Sequence, residues 1–268
     1  METYLIDSFT KEPFKGNPAG VCFPKQELGA AAMLKIAQEF GLSETAFVWE
    51  TGSDGVYAIR YFSPKQEIPL CGHATLAAAK VLFSKTPQTE IHFRTHEQLD
   101  LGITRQGEDI TMTFPVYDTV AATVPAAMLA ALGLPTVVNT AFSPKNKIIL
   151  LEIADDQQLA ALRPDFGALL QAYTGINGVL VTAPGSTAAY DYHYRYFWPW
   201  AGTNEDPVTG GVQTFLAKYW SARLHKRVMQ AFQSSGRTGS MQVELQADKV
   251  LLTSQAVIVL EGNLVAFG

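Results

Sequence analysis

Arg60-Tyr-Phe-Ser-Pro64 and Arg195-Tyr-Phe-Trp-Pro199 are two near-identical pentamers that open the two stretches on which the fold depends. Each pentamer is followed by an acidic residue, then by a glycine-containing turn, and then by an Ala-Lys pair whose lysine lies eight residues after the glycine. Chance poorly explains the ordered recurrence of all these features, so the sequence indicates an internal duplication. The paired positions are Gly72 with Gly210 and Lys80 with Lys218.

Both copies predict a strand, a turn and a helix. Residues 57–62 and 190–197 alternate with the period of two that is typical of strands, and a proline then ends each ladder because it cannot donate a hydrogen bond. Residues 74–83 and 212–220 are rich in Ala, Leu and Phe at helical spacing. Each copy should therefore lead a glycine turn into a helix N-terminus, where free N–H groups and the helix dipole favour a carboxylate or a phosphate.

The composition bounds the class of protein. A chain of 268 residues with 47% hydrophobic and 17% charged residues can form one large or two medium globular domains. A net charge of −5 without a basic run argues against nucleic-acid binding, and no apolar stretch reaches the roughly 20 residues of a membrane span. The N-terminus has no secretory pattern and the chain has only two cysteines, so we expect a cytoplasmic protein with reduced thiols.

The order of predicted elements favours an α+β fold of two pseudo-symmetric lobes, each made mostly of strands with one central helix. Residues 115–125 show no clear element, so we place the junction there. The predicted N-terminal lobe spans residues 1–117 and the C-terminal lobe 125–261, and residues 262–268 could complete the first lobe. A pseudo-twofold axis would direct both helix N-termini at a shared cleft, which we treat as a hypothesis for the active site.

Three polar residues stand out near the predicted helix starts. Glu44 lies at the mouth of a strand among apolar residues, where it could act as a general base, although a solvated surface carboxylate is the commoner outcome. His73 follows Gly72 at a helix N-terminus, and Asp206, which lies before the second helix, is taken as its counterpart in the second copy. Together they supply a base and two orienting groups, which is enough for proton transfer without a cofactor.

Several familiar sites have no support in the sequence. There is no GxGxxG, Walker, HExxH or CxxC motif, and the five histidines lack metal-ligand spacing, so neither a metal nor a cofactor is predicted. Asn17 lies in a Gly-Asn-Pro turn that is either a tight connection or a substrate-facing loop. Cys71 at a helix N-terminus could act as an acid or base, but a two-thiol racemase needs a partner cysteine that the second copy lacks.

The motifs and their order resemble the phenazine-biosynthesis PhzF-like isomerase family over almost the whole chain. This resemblance implies a fold similar to diaminopimelate epimerase, in which each lobe is a barrel-like, mostly antiparallel sheet around a central helix. It also implies an enzyme that needs no metal or cofactor and that forms a homodimer. The motifs that carry it are Gly16-Asn-Pro-Ala-Gly20, Ser43-Glu-Thr-Ala-Phe47, Arg60–Pro64 with Glu67, Cys71-Gly-His-Ala-Thr75 and Glu205-Asp-Pro-Val-Thr-Gly210.

The resemblance also implies roles for single residues. Glu44 looks like the acid/base that moves a proton within a cyclic, unsaturated carboxylic acid, and His73 and Asp206 look like groups that orient it. The backbone amides at Gly72-His73 and at Gly210-Gly211 look like part of the substrate pocket. One departure is Gly211, which stands where the phenazine enzyme has a serine, so the substrate need not be the phenazine precursor.

The sequence thus predicts a cofactor-independent isomerase of a small, cyclic carboxylic acid. Glu44 is the predicted catalytic residue, and no nucleic-acid or membrane partner is expected. Two alternatives stay open, namely a paired-thiol racemase or epimerase and a non-catalytic binding protein for an acidic metabolite. The predicted substrate-binding residues are Asn17, Gly72, His73, Asp206, Gly210 and Gly211.

Overall fold

The computed structural model describes residues 1–53 and 55–265. The chain divides into two compact units, of which the first combines Met1–Thr113 with Leu251–Gly268 and the second is Phe114–Val250. Among the described residues, no helix combines the length and the hydrophobicity that crossing a bilayer requires.

The elements follow the predicted order of strands interrupted by helices. The strands are β1 (Glu2–Ser8), β2 (Asn17–Phe23), β3 (Thr45–Glu50), β4 (Val56–Phe62), β5 (Glu67–Ile68), β6 (Glu90–Thr95), β7 (Asp100–Gln106), β8 (Asp109–Pro115), β9 (Val120–Ala121), β10 (Asn139–Ser143), β11 (Ile148–Glu152), β12 (Gly178–Pro184), β13 (Tyr192–Trp198), β14 (Thr203–Asp206), β15 (Val228–Gln233), β16 (Gly239–Leu245), β17 (Lys249–Ser254) and β18 (Ala256–Asn263). The helices are α1 (Ala30–Phe40), α2 (Gly72–Lys85), α3 (Ala126–Leu132), α4 (Asp156–Ala161), α5 (Phe166–Ala172) and α6 (Gln213–Leu224).

The first unit is a mostly antiparallel sheet around α2. Strand β1 pairs antiparallel with β2 and β18, β2 runs parallel to β3, and β3 runs antiparallel to β4. Strand β4 then pairs antiparallel with β5 and parallel with β6. Helix α2 packs against β1, β2, β3 and β18, and most of its residues are buried. A helix that is apolar around most of its circumference is stable only inside a core, so α2 is the central helix of this unit.

The second unit repeats the same pairings in the same order. Strand β10 is antiparallel to β11, β11 is parallel to β12, and β12 is antiparallel to β13. Strand β13 pairs antiparallel with β14 and parallel with β15, and α6 lies between β14 and β15 in the chain as α2 lies between β5 and β6. Helix α6 packs in this core through its buried residues Phe215, Leu216 and Trp220. The pairing order confirms the predicted pseudo-symmetry.

The arginine that begins each pentamer forms the same ion pair in both units. Arg60 donates from Nε and Nη2 to Glu67 at 2.7 and 2.6 Å, and Arg195 donates from the same atoms to Glu205 at 2.7 Å each. Both arginine side chains are largely buried. Two parallel charge-assisted hydrogen bonds of this kind fix the geometry of both partners. The recurring arginine and glutamate therefore hold each strand-turn unit together.

The strand register corrects one detail of the sequence alignment. In the first unit Tyr61 pairs with Ile68, and in the second unit the equivalent Tyr196 pairs with Asp206. The counterpart of Asp206 is therefore Ile68, and not His73 as predicted. Alignment of Gly72 with Gly210 gives the same match, because Ile68 and Asp206 each lie four residues before the glycine.

The return of the chain to the first unit begins earlier than the predicted boundaries of 125–261 and 262–268. Strand β18 pairs with β1 from Glu2 opposite Asn263 to Ser8 opposite Ala256. This ladder places β18 in the first unit, which the chain re-enters at Leu251. Residues 266–268 of the predicted closing segment lie outside the described residues.

Candidate active site

Glu44 is held at the entrance to β3 by the end of the preceding helix. Helix α1 stops at Phe40, and Gly41 takes a left-handed conformation with φ 62° while its N–H donates to the carbonyl of Ala37. The carbonyl of Glu44 then accepts the N–H of Gly20 at 3.3 Å. Glu44 is 7% exposed. It is therefore not a solvated surface carboxylate.

Gly20 allows β2 to approach this turn closely. A Cβ atom at Gly20 would lie 2.8 Å from the ring of Phe40 and 3.0 Å from Oγ1 of Thr45. Contacts this short would force the neighbouring atoms to move. The glycine thus fixes the distance between β2 and the backbone that carries Glu44.

His73 is the second residue of α2 and contacts Glu44 directly. Its Nε2 atom lies 3.2 Å from Oε2 of Glu44 and 3.4 Å from Oγ of Ser43. Its Nδ1 atom lies 3.3 Å from Nδ2 of Asn17, the fully buried first residue of β2. The Ser8 hydroxyl donates to the carbonyl of His73 at 2.7 Å, so backbone and ring are both fixed.

The hydrogen bonds assign a neutral ring to His73. Burial lowers the pKa of His73, and the Glu44 carboxylate opposes this shift only in part. Because the amide nitrogen of Asn17 donates to Nδ1, the ring proton resides on Nε2. Nε2–H is then the donor to Glu44, so His73 orients the carboxylate without carrying a charge.

Cys71 completes this cluster as the N-cap residue of α2. Its Sγ atom lies 3.4 Å from Nδ1 and 3.8 Å from Nε2 of His73, and the residue is 8% exposed. Its carbonyl accepts hydrogen bonds from both the N–H and the hydroxyl of Thr75. Cys22 is different, because it is fully buried in a core with Met33 and Phe47, and burial raises the pKa of its thiol to about 12.

Asp206 anchors a cluster of polar groups in the second unit. Asp206 ends β14 and is 8% exposed, and its Oδ2 atom accepts a hydrogen bond from the hydroxyl of Thr209. Gln233 of β15 donates to the carbonyl of Asp206 at 2.5 Å and accepts the N–H of Thr209 at 2.7 Å. The side chain of Gln233 thus fixes the turn that follows Asp206.

Gly210 and Gly211 form the turn that starts α6. The carbonyl of Gly210 accepts the N–H of Gln213 at 3.0 Å, and that of Gly211 accepts the N–H of Thr214 at 3.4 Å. The hydroxyl of Thr214 also donates to Gly211 at 2.8 Å. These bonds give the glycine-to-helix transition that the sequence pattern predicts.

The structure brings together part of the predicted site and adds residues that were missed. Glu44, His73 and Asn17 are in contact, and Gly72 adjoins them between Cys71 and His73. Asp206, Gly210 and Gly211 belong to the second unit. Ser43 could have been inferred from its place beside Glu44, but no local pattern marks the other missed residues. Those are Ser8 in the first unit and Gln233 in the second.

Nearly the whole chain matches one protein family. The model of the phenazine biosynthesis-like protein family, PhzC-PhzF, matches residues 6–262. The chain belongs to this family. Recognition of the family from the sequence motifs is thereby confirmed.

Proteins from several organisms resemble the chain over nearly their full length. Phenazine biosynthesis-like domain-containing protein 2 of Mus musculus is 38% identical, with 98% of each chain covered. A Pseudomonas aeruginosa protein named as an uncharacterized isomerase is 37% identical, with 97% of each chain covered. The solved structure of a PhzF family protein from Enterococcus faecalis superposes with a TM-score of 0.91 at 35% identity, covering 97% of each chain. More distant solved chains, at 19% identity or less, share the fold, so the predicted fold class is confirmed.

Proposed function

We propose that this PhzC-PhzF family member is a cofactor-independent isomerase in which Glu44 moves a proton within a small cyclic carboxylic acid. The observation that carries the proposal is the buried Glu44 carboxylate, which Nε2 of His73 meets at 3.2 Å. An isomerase-type activity is also supported by relatives at 37% and 38% identity that are named as uncharacterized isomerases.

Glu44 can perform both halves of a proton shift. Its carboxylate removes a proton from one carbon of the substrate, and the resulting carboxylic acid returns that proton to another carbon. No net change of protonation occurs, so no second base is required. Acid-base catalysis by one positioned group is typically worth about 10²–10⁴-fold in rate. Glu44 keeps an exposure of 7%, so the proton that it carries can exchange with solvent before it is returned to the substrate.

His73 acts in this proposal as an orienting group. Its neutral ring donates Nε2–H to Glu44. The Asn17 amide holds the imidazole, and the Ser8 hydroxyl holds the backbone carbonyl of His73. A carboxylate fixed by one hydrogen bond presents its remaining lone pairs in a constant direction. We therefore assign His73 and Asn17 to positioning and to substrate binding.

The start of α2 is the proposed site for the substrate carboxylate. The helix has 14 residues, and Gly72 and His73 begin it. The N–H groups of a first helical turn have no acceptor within the helix, and the positive end of the dipole favours an anion. Participation of Asp206, Gly210 and Gly211 in the same substrate site stays a prediction, as do the homodimer and the cytoplasmic location.

A paired-thiol mechanism is disfavoured by the second cysteine. Cys22 is fully buried among apolar side chains, and its raised pKa keeps the thiol protonated. A thiol in that state is a poor base. Cys71 would have to act without a thiol partner.

The test is solvent deuterium exchange into small cyclic carboxylic acids that raise the melting temperature of the protein. Glu44→Gln keeps the size of the side chain and removes the base, so exchange should fall by about 10²-fold or more. Glu50→Gln is the matched control, because Glu50 ends β3, the strand that Glu44 precedes, but is exposed. Equal exchange by wild type and Glu44→Gln would refute the assignment, and stabilisation without exchange would indicate a binding protein.

A further inference from the structure

Three side chains of different chemistry converge at the start of α2. Glu44, Cys71 and His73 offer a carboxylate oxygen, a thiol sulfur and an imidazole nitrogen that all lie within 4.8 Å of one another. The distances from Nε2 of His73 are 3.2 Å to Oε2 of Glu44 and 3.8 Å to Sγ of Cys71. All three residues are at least nine-tenths buried.

These separations are close to those of a tetrahedral zinc site. Zinc bonds of about 2.0–2.1 Å to nitrogen or oxygen and about 2.3 Å to sulfur place neighbouring tetrahedral donors about 3.3–3.6 Å apart. The observed nitrogen–oxygen and nitrogen–sulfur distances differ from that range by only about 0.1–0.2 Å. The carboxylate oxygen and the thiol sulfur lie within 4.8 Å of each other, so side-chain rotations that bring these two atoms closer by up to about 1.3 Å would place all three donors around one ion.

We propose that Glu44, Cys71 and His73 form a site for a divalent transition-metal cation of the zinc class, with the fourth position open. On binding, the Cys71 thiol releases its proton to solvent and binds as thiolate, and Glu44 binds as carboxylate. His73 binds through Nε2, so its ring proton moves to Nδ1. A turn of the Asn17 amide then presents oxygen to Nδ1–H, which is the outer-shell contact that metal-bound histidines usually make.

The donor set selects among cations. Thiolate and imidazole favour zinc, cobalt and copper ions, whereas magnesium and calcium prefer sites made only of oxygen. Catalytic zinc sites have three protein ligands and an open fourth position, and zinc binds sulfur, nitrogen and oxygen ligands. The three side chains here match that number and those ligand types. We therefore expect binding of Zn²⁺ and Co²⁺ but not of Mg²⁺ or Ca²⁺.

This inference departs from the sequence prediction of no metal. A Cys-x-His pair preceded by a glutamate at position 44 matches no familiar ligand spacing, so a search for motifs passes over it. The donor atoms come close together because β3 begins beside the N-terminus of α2 in the first unit. The contact between Glu44 and His73 shows this.

A bound cation would inhibit the enzyme. This consequence rests on the proposed function, because the ligands include the carboxylate that we assign to proton transfer. A carboxylate engaged by zinc cannot accept a carbon-bound proton, and the ion would occupy the space beside Glu44. Zn²⁺ should therefore lower deuterium exchange by the wild type at least tenfold, and a chelator should restore it.

Cobalt absorption tests the site without any substrate. The full chain is reduced, stripped with a chelator and titrated with Co²⁺, which should bind one to one and give thiolate charge-transfer and tetrahedral d–d absorption that Zn²⁺ abolishes. Cys71→Ser should remove the charge-transfer band, and Glu44→Gln should weaken binding at least about tenfold, the lower bound seen even for outer-shell changes. Cys22→Ala is the matched control and should keep the full spectrum. Thermal melting verifies that each variant is folded.

The outcomes separate this proposal from the proposed function. Absence of a thiolate band in wild type at millimolar Co²⁺, or its persistence in Cys71→Ser, would overturn the metal site whatever the exchange assay shows. Loss of the band in Cys22→Ala would also overturn it. Conversely, a normal cobalt spectrum together with undiminished exchange by Glu44→Gln would refute the catalytic role of Glu44 and leave the metal site standing.

Discussion

Replacing Gly211 with serine introduces a hydroxyl-bearing side chain at the turn that starts α6. The phenazine enzymes that this chain resembles carry a serine there, so the variant also tests whether this position contributes to substrate choice. Among the described residues, no heavy atom outside the adjoining chain would lie within 4 Å of a Cβ atom at Gly211. The backbone there is also not in the left-handed region that favours glycine. The serine should therefore fit without strain.

The expected effect on stability follows from this open space. A side chain that fits a glycine position without strain stabilises a protein by about 0.4–1 kcal/mol, because it restricts the unfolded chain. For a chain of this size that corresponds to a rise in melting temperature of about 1–4 °C. Gly178→Ala is the control in the same unit, since its Cβ would lie 2.6 Å from the Tyr196 ring and 2.7 Å from the Phe197 carbonyl. Overpacking of that kind should cost about 1–3 kcal/mol.

Urea denaturation and deuterium exchange together decide the outcome. Gly211→Ser should be as stable as wild type or more stable, while its pattern of exchange across a panel of cyclic carboxylates should change. Destabilisation of Gly211→Ser by more than about 1 kcal/mol would contradict the steric argument. An unchanged exchange pattern in a stable variant would show that position 211 does not contact the substrate.

Two further perturbations test the packing of the second unit. Arg195→Met should lower the free energy of unfolding in urea by about 3–5 kcal/mol. The substitution leaves the Glu205 carboxylate without its ion-pair partner and removes a 2.9 Å hydrogen bond to the carbonyl of Leu162. A loss below about 1 kcal/mol would refute the structural role of the pair. Burial lowers the pKa of His193 and nearby Asp156 opposes that shift, so the folded state binds fewer protons than the unfolded state, and stability should fall as pH drops below about 6.5. His193→Gln should reduce that loss between pH 7 and pH 5 in urea titrations, and an unchanged slope would contradict it.

The duplication was predictable because its physical signals are local. Period-two alternation, a proline after each strand and a glycine before each helix are all visible over short stretches of sequence. The structure reproduces them as β4 and β13 leading through β5 and β14 into α2 and α6. One predicted match between the copies was wrong. Asp206 was matched with His73, whereas the strand ladders match it with Ile68.

The candidate site was predictable only in part. The motif around Glu44 and the one around His73 could be recognised separately, but nothing in either stretch shows that their side chains meet at 3.2 Å. The contribution of Ser8 was not visible either, because it acts through a hydroxyl bond to the carbonyl of His73 from a distant strand. Contacts between residues far apart in sequence depend on strand pairing, which short patterns do not specify.

The sequence by itself determined the family, the two-copy fold and the identity of the residues with chemical capacity. Hydrophobic periodicity, turn residues and helix starts act over a few neighbouring positions, so they can be read from the order of amino acids. Only the tertiary structure decided that Glu44 is buried, that His73 is a neutral donor to it, and that the thiol of Cys71 lies within 4.8 Å of both. Those properties depend on desolvation and on distances of a few ångströms between separate elements, and they arise only when β2, β3 and α2 pack together.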